Sequence, residues 1–130
     1  MKVTFDTNVF LSALTLPGGS GDRALDKIIE GKDSLAISRS IIDELLSVLA
    51  RKFGRDREEL ARVAVFLSNL AELVEPQEPV AILADEPDNR ILECALSARA
   101  QVIVTGDRAM LALGEFQSIR IISLGEYLGK

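Results

Sequence analysis

Short apolar runs separated by segments of helical periodicity limit the fold of this chain more strongly than its other features do. Three runs, at residues 3–5, 35–38 and 101–105, are brief and almost uniformly apolar, and a further strand is predicted at residues 119–122. Strands of this kind are usually buried on both faces, and helices that intervene between them make the strands parallel. We therefore predict an α/β fold in which three layers, α/β/α, enclose a short and mainly parallel central sheet.

The segments between these strands carry apolar residues three or four positions apart, which is the spacing of a helix with one buried face. The predicted helices cover residues 23–30, 41–53, 56–73, 87–99 and 108–113, with a terminal turn of helix at the end of the chain. Ser40 is the predicted cap of the second of them. Residues 9–16 form an apolar stretch that stops at a turn-rich segment, residues 17–21, and Pro76 and Pro79 bracket an extended connector.

Length and hydropathy predict one small domain. The 130 residues suit a single compact domain covering residues 1–130, and no linker or internal repeat divides them. No apolar run approaches the roughly 18–20 residues that cross a bilayer. Met1 leads directly into a strand, without the basic, apolar and small-residue regions of a signal peptide. The expected location is therefore the cytoplasm.

The absence of histidine narrows the possible chemistry. The chain has no histidine and one cysteine, which excludes Ser-His-Asp and Cys-His nucleophile systems and histidine-bound zinc. Cys94 lies in an apolar helical run, where a small core residue is expected. Neither a GxxxxGK[ST] nor a GxGxxG phosphate loop is present. Any catalysis must therefore come from carboxylates and bound cations.

The net charge of −5 bears on the possible partners. It argues against a protein that holds nucleic acid by bulk positive charge. It argues less against an enzyme that presents phosphates to divalent cations, because the cations reverse the local field.

Four acids fall at positions where ligands of α/β proteins usually bind. Asp6 directly follows the first strand, Asp107 follows the strand at residues 101–105, Asp88 lies in the first turn of a helix, and Glu44 lies near the start of another. Ligands of open α/β sheets bind outside the carboxyl ends of the strands, at a topological switch point. Carboxylates gathered there repel each other unless a cation lies between them. Oxygen ligands suit Mg²⁺ or Mn²⁺, and two such ions can activate water and stabilise the leaving oxygen in phosphodiester cleavage.

Each acid also has an ordinary structural interpretation that the sequence leaves open. Asp107 could be the cap of the short helix after it, and Glu44 could lie on a solvated helix face. Asp85 and Asp88 resemble a cap followed by an acid at the third helical position. Asp6 has no obvious capping duty, so it is the strongest functional candidate of the group.

Together these positions resemble the motifs of the PIN-domain nucleases, and especially of the bacterial VapC-like toxins found in toxin–antitoxin pairs. The resemblance lies in four segments: residues 3–10 (VTFDTNVF), 38–45 (SRSIIDEL), 88–95 (DNRILECA) and 105–108 (TGDR). Their order and wide spacing match the family across nearly the whole chain. Each segment is weak alone, whereas the four together are specific.

The resemblance implies an activity, a cofactor and a partner. The implied catalytic residues and metal ligands are Asp6, Glu44, Asp88 and Asp107. Asn8 and Thr105 would support these ligands through hydrogen bonds. The implied activity is that of an endoribonuclease, in which water activated by one or two Mg²⁺ or Mn²⁺ ions hydrolyses RNA. The implied partner is a small antitoxin protein that covers the site. Either Asp85 or Glu93 could join the cluster, although we predict that Asp85 is an N-cap and Glu93 a near-site or exposed acid.

Positive charge near the acids is expected to contact the substrate. Arg39, Arg90 and Arg108 each adjoin an acidic motif and are candidate phosphate ligands. Ion pairs with neighbouring acids are an equally open interpretation of these three arginines. The densest basic stretch, residues 51–57, is interpreted as the link between two helices, with RNA contact as the alternative.

Other functions stay open on the sequence alone. A structure-specific DNA nuclease would keep the metals, but the small size favours RNA. A non-catalytic nucleic-acid-binding or regulatory module would tolerate loss of the acids, yet all four are present. A phosphotransfer receiver needs a lysine after a late strand, and lysine is absent between Lys52 and Lys130. The apolar helix predicted at residues 56–73, which includes Phe66, suggests a homodimer.

Overall fold

A six-stranded sheet in the order β3-β2-β1-β4-β6-β5 forms the centre of the fold in the computed structural model, which describes residues 1–129. The strands are β1 (Lys2–Phe5), β2 (Ser34–Ser38), β3 (Glu72–Val74), β4 (Val102–Val104), β5 (Glu115–Phe116) and β6 (Ile119–Ile122). Neighbouring strands are parallel except β5 and β6, which are antiparallel. The predicted short and mainly parallel sheet is confirmed.

The helices pack around this sheet in two groups. They are α1 (Thr7–Thr15), α2 (Ser20–Ile29), α3 (Arg39–Phe53), α4 (Arg57–Leu70), α5 (Glu86–Ala98), α6 (Arg108–Leu113) and α7 (Leu124–Tyr127). Helix α2 contacts α1 and α7, α3 contacts α4 and α5, and α1 also contacts α3. Within residues 1–129, no helix combines the length and the apolar character that a bilayer span requires. The predicted α/β fold is confirmed.

The core confirms which face of each element is apolar. Its fully buried large side chains come from strands and helices alike, and include Phe5, Phe10, Leu35, Ile37, Leu45, Leu49, Leu92 and Ile103. Cys94 is fully buried among them, as expected of a small core residue. Burial raises the pKa of its thiol to about 12, which leaves it protonated and unreactive at neutral pH.

One helix was not predicted, and α2 and α3 begin earlier than predicted, α2 at Ser20 and not at residue 23. The apolar stretch at residues 9–16 belongs to α1, a helix that the sequence pattern did not predict. Helix α3 begins earlier than predicted because Ser38, and not Ser40, is its cap. The Ser38 hydroxyl accepts the backbone N–H of Ile41 at 3.3 Å.

Two short strands, β3 and β5, were also not predicted. Helix α4 ends at Leu70, and the chain then extends into β3, which pairs with β2. The helix predicted at residues 56–73 is therefore too long. Strand β5 turns into β6 through Gln117 and Ser118, which both have left-handed φ angles, of 47° and 70°. Neither is glycine or asparagine, so the sequence carries no usual signal for this turn.

The carboxyl ends of β1 and β4 lie side by side and define the edge that matters for function. Phe5 is in register with Val104, and the backbone N–H of Asp6 donates to the Val104 carbonyl at 3.1 Å. Strand β2 lies on the other side of β1, so the sheet order reverses between β1 and β4. Ligands of open α/β sheets bind at such a switch point. Asp6 and residues 105–107 follow these two strands and therefore share this edge.

Candidate metal-binding active site

Asp6 caps α1 while its carboxylate stays at the switch point. One carboxylate oxygen, Oδ1, accepts the backbone N–H of Val9 at 3.0 Å. The expectation that Asp6 has no capping duty is therefore wrong. The residue is only 3% exposed. Burial raises its pKa above the usual value, although hydrogen bonds from Thr105 and from nearby backbone N–H groups oppose that rise.

Thr105 joins the acids that follow the two central strands. Its hydroxyl donates to Oδ2 of Asp6 and accepts the backbone N–H of Asp107 at 2.9 Å. Asp107 in turn caps α6, since its Oδ2 accepts the N–H of Met110 at 2.9 Å. Thr105 is fully buried, so its hydroxyl is shielded from water. One hydroxyl thus orients the carboxylate of Asp6 and the backbone of Asp107 together.

Asp88 lies in the first turn of α5, as predicted, and its surroundings are unusual for a carboxylate. Its pKa is raised to about 7, first by burial and then by the negative charges of Asp107, Asp85 and Asp6. Its buried Oδ2 has no hydrogen-bond partner within the described residues. An orphaned carboxylate oxygen that faces other acids is costly unless a cation satisfies it.

A groove of about 520 Å³ collects most of the predicted acids. Its acidic lining comes from Asp6, Glu44, Asp85 and Asp88, with Asn8 beside them. Asp107 is absent from the lining residues and meets this group through Asp88, whose pKa it raises. The structure therefore brings Asp6, Glu44 and Asp88 to one groove and places Asp107 close to Asp88.

The donor atoms of these acids suit a divalent cation, but the side chains are not arranged around a common point. Within residues 1–129, no three of the Asp, Glu and Cys side chains already converge in the arrangement of a metal site. The donors at this edge are nonetheless all carboxylate oxygens, which Mg²⁺ and Mn²⁺ prefer. A cation there would satisfy Oδ2 of Asp88 and relieve the repulsion that raises the pKa of Asp88. The donor set therefore fits the metal that the family resemblance implies.

Asp85 and Glu93 agree only in part with what the sequence predicts: Asp85 is at the predicted cap position, and Glu93 is not exposed. Asp85 takes the cap position of α5, but its side chain makes no capping hydrogen bond and lines the groove instead. Glu93 is buried, and its Oε2 accepts the N–H of Val80 at 2.8 Å. The expectation of an exposed Glu93 is therefore wrong, because Glu93 is buried and anchors the connector before α5. Asn89 does the same through two 2.9 Å hydrogen bonds to the backbone of Leu83, a role that sequence reasoning missed.

The three candidate substrate arginines differ in their surroundings. Arg90 pairs with Glu93 at 3.0 Å and with Glu86 at 3.4 Å, and also donates to the Val80 carbonyl at 3.0 Å. For Arg90, the ion-pair interpretation describes what the side chain does. Arg39 and Arg108 are exposed, and within residues 1–129 neither forms an ion pair.

One part of the basic stretch at residues 51–57 links two helices, and another part lines the groove, where RNA contact is possible. Gly54 ends α3 in a left-handed conformation, with φ 62°, and Arg55 pairs with Glu59 at 3.5 Å, so part of the stretch links α3 to α4. Arg51, Lys52 and Phe53 instead line the groove that contains the acids. Sequence reasoning gave this placement less weight than the linking role.

Comparison with known proteins agrees with the fold and the motifs. A protein-family model described as "PIN domain" matches residues 2–109. An uncharacterised protein of Methanocaldococcus jannaschii is 32% identical over 117 residues, which cover 87% of this chain and 75% of that protein.

Two solved structures share the fold at low identity. One is VapBC2 from Rickettsia felis bound to a DNA fragment from their promoter, with a TM-score of 0.68 and 15% identity. The other is VapBC-1 from nontypeable Haemophilus influenzae, with a TM-score of 0.67 and 17% identity. Each alignment covers 95% of this chain and 98% of the matched chain. With the family match over most of its length and the archaeal relative, this chain belongs to the PIN domain family.

Proposed function

We propose that this PIN domain, taken as one domain over residues 1–130, is a metal-dependent endoribonuclease. The observation that carries the proposal is the gathering of Asp6, Asp88 and Asp107 at the switch point of the sheet, where Oδ2 of Asp88 is buried without a partner among the described residues. A carboxylate cluster with this charge density is typical of sites that hold a divalent cation. The absence of histidine leaves carboxylates as the main candidates for catalysis.

The roles of the residues follow from their positions. The proposed ligands of one or two Mg²⁺ or Mn²⁺ ions are Asp6, Glu44, Asp88 and Asp107. When bound, such a cation supplies a water activated for attack on phosphorus and charge stabilisation at the leaving oxygen. Thr105 holds the Asp6 carboxylate in place through its hydroxyl. Asn8, beside Asp6 in the groove, is proposed to help orient the same ligands.

Substrate contacts are proposed for the exposed cations near this edge. Arg39 adjoins the start of α3, which carries Glu44, and Arg108 follows Asp107 directly. Both are exposed and available to phosphates. Arg90 is not proposed as a direct phosphate ligand, because its guanidinium is already engaged by Glu86, Glu93 and the backbone.

We further propose that the enzyme is the toxin of a toxin–antitoxin pair in the cytoplasm. The two solved structures of similar fold are both VapBC proteins, which supports this proposal. A small antitoxin protein that covers the groove would keep RNA away from the acids. Homodimerisation is proposed through α4, where Val65 and Phe66 are 60% and 38% exposed.

Substitution of two acids tests the nuclease directly. Asp6→Asn and Asp88→Asn should each reduce Mg²⁺- or Mn²⁺-dependent RNA cleavage by more than the roughly 10–100-fold that loss of a supporting hydrogen bond costs. Asn remains a good helix cap, so Asp6→Asn should keep α1 in place. Cleavage of labelled RNA, with and without EDTA, measures the activity, and circular dichroism checks the fold.

Asp26→Asn is the matched control, because Asp26 is an exposed acid on α2 outside the groove lining. It should cleave RNA as the wild type does. Metal-dependent cleavage that survives both Asp6→Asn and Asp88→Asn would show that the site is wrongly assigned. Cleavage of single-stranded DNA in preference to RNA would replace the ribonuclease with a DNA nuclease.

A further inference from the structure

A single stripe of α3 connects the acidic end of the groove with positive charge. Glu44, Val48, Arg51 and Lys52 all line the groove. Their spacing of four, seven and eight residues places them on one face of the helix. At 1.5 Å of rise per residue, Glu44 and Lys52 are separated by about 12 Å along the helix axis. The groove therefore runs from proposed metal ligands to two cations.

The two cations are not used in ion pairs. Within residues 1–129, neither Arg51 nor Lys52 lies within ion-pair distance of an acid. Arg51 donates from Nε to the Ser47 hydroxyl at 3.1 Å, one turn back on the same helix. That bond orients the side chain without neutralising its charge. In a chain of net charge −5, two cations that face a groove and have no acidic partner among the described residues fit an anionic ligand.

The helix dipole explains only in part why Arg51 and Lys52 lie at the end of α3. Cations in the last turn of a helix interact favourably with its dipole, and Arg51 and Lys52 are in the last turn of α3. The dipole favours positive charge at this end of the helix but does not require it to face the acids. Arg55, in the same basic stretch, pairs with Glu59 and does not line the groove.

Phe53 adds an aromatic surface beside the cations. It lines the same groove and is 46% exposed. Across the groove, α1 and its cap contribute Leu11 and Leu16, and Leu16 is 60% exposed. Cations combined with an exposed aromatic ring are typical of surfaces that hold a single strand, where phosphates meet the charges and a base stacks on the ring.

We propose that Arg51, Lys52 and Phe53 form a substrate-binding subsite for single-stranded RNA next to the scissile phosphate. Arg51 and Lys52 hold phosphates that flank the cleaved bond, and one base stacks on Phe53. The groove volume of about 520 Å³ lies within the roughly 300–1,000 Å³ of sites for small molecules. This space suits a short stretch of one strand. The subsite rests on the proposed function, since it positions RNA for the acids.

Binding measured apart from cleavage tests the subsite. The probe is a short labelled single-stranded RNA of mixed sequence, bound to protein carrying Asp88→Asn at fixed Mg²⁺ and increasing KCl. In this background, Arg51→Gln with Lys52→Gln should weaken binding and make log K against log[salt] shallower by about 0.7 for each phosphate that the protein no longer neutralises. Phe53→Ala should weaken binding by roughly 5- to 150-fold with little change in the salt slope.

A charge-matched control separates a local effect from a change in net charge. Lys32→Gln with Arg62→Gln removes the same charge from exposed positions outside the groove. This pair should bind RNA nearly as the Asp88→Asn protein does. Equal weakening by both pairs, or no weakening by the groove pair and Phe53→Ala, would overturn the subsite. Tighter binding of a duplex of the same sequence would also overturn it.

The cleavage-competent protein distinguishes failure of the subsite from failure of the proposed function. With active protein, the groove variants should raise KM more than they lower kcat, because they act on binding. If no variant or wild-type protein cleaves RNA but the binding pattern holds, the nuclease proposal fails and the RNA-binding groove stands. If cleavage is normal and KM is unchanged in the groove variants, the subsite alone is wrong.

Discussion

Asp6 and Asp107 each hold the first turn of a helix and also stand among the acids at the switch point. Asp6 accepts the Val9 N–H with Oδ1 and the Thr105 hydroxyl with Oδ2. Asp107 caps α6 in the same manner. A capping bond fixes the rotamer of the carboxylate, and a carboxylate oxygen has more than one lone pair with which to bind. At the residue scale, helix capping and metal binding are therefore compatible in one side chain.

The Thr105 hydroxyl offers a test of how the acids are oriented. Thr105→Val removes a donor to Asp6 and an acceptor for the Asp107 N–H. We expect Mn²⁺ affinity to fall by about 10–100-fold. The unpaired groups should also lower the free energy of unfolding by about 1–3 kcal/mol. Calorimetric titration with Mn²⁺ and chemical denaturation measure the two effects.

Two further substitutions control this experiment. Thr4 is also fully buried, and its hydroxyl has no hydrogen-bond partner within the described residues, so Thr4→Val should leave Mn²⁺ affinity unchanged. Thr105→Ser keeps a hydroxyl and should restore most of the affinity. An unchanged affinity in Thr105→Val would mean that Thr105 does not position the ligands.

At the element scale, α1, one face of which lines the groove, packs closely against α2. Gly21 of α2 faces α1, and a Cβ at this position would lie 2.7 Å from the Ala13 nitrogen and from Cβ and Oγ of Ser12. Helix α1 cannot yield easily, because it begins at Asp6 and one of its faces lines the groove. A glycine at this contact therefore supports the site indirectly.

Gly21→Ala should destabilise the protein by separating these two helices. We expect a loss of about 1–3 kcal/mol in the free energy of unfolding, the usual cost of overpacking, measured by urea denaturation. Gly125→Ala is the control: the nearest heavy atom to its added Cβ is Ser123 Oγ at 3.8 Å, and α7 should accept alanine without loss. Equal stability of the two variants would contradict the packing argument.

Elements also show where periodicity is sufficient for prediction and where it fails. The apolar stripe of α3 and the uniformly apolar β4 follow directly from the sequence pattern. Strand β3 does not, because its pairing with β2 decides that the chain extends after Leu70. Strand β5 depends on a turn through Gln117 and Ser118, whose left-handed backbones are stabilised by the pairing on either side and not by local preference.

At the scale of the whole molecule, the sheet order brings distant acids together. Residues 6, 88 and 107 are far apart in sequence, yet the adjacency of β1 and β4 and the placement of α5 put them at one edge. The same arrangement brings the acids and two positive residues of α3 into one groove and leaves an exposed apolar patch on α4. Exposed apolar patches often mark interaction surfaces.

Sizing the protein alone and with its proposed antitoxin tests the assembly. By light scattering after gel filtration, we expect a dimer that becomes a monomer in the double variant Val65→Ser and Phe66→Ser. Co-expression with a small neighbouring reading frame should yield a larger complex in which RNA cleavage is inhibited. A monomer at all concentrations would remove the proposed dimer. Failure of any neighbouring small protein to bind would leave a stand-alone nuclease.

The class of fold and the class of chemistry can both be inferred from the amino-acid sequence. Alternating apolar runs and helical periods are local properties, so they predict parallel strands and the buried face of each helix. The lack of histidine and the four spaced acids point to oxygen-ligand chemistry before any coordinates are known. The family resemblance follows from the same residues.

Which charged side chains bind the backbone of another segment, and which face the groove, is decided by the packing of the folded chain. Glu93 and Arg90 lie three residues apart on α5 and pair as helix neighbours can, but both also bind the backbone of Val80 in the connector before α5. Asp85, Arg51 and Lys52 line the groove. The physical reason is that the partner of a charge depends on which element packs opposite it. That choice is made across the fold, between residues whose separation along the chain carries no signal.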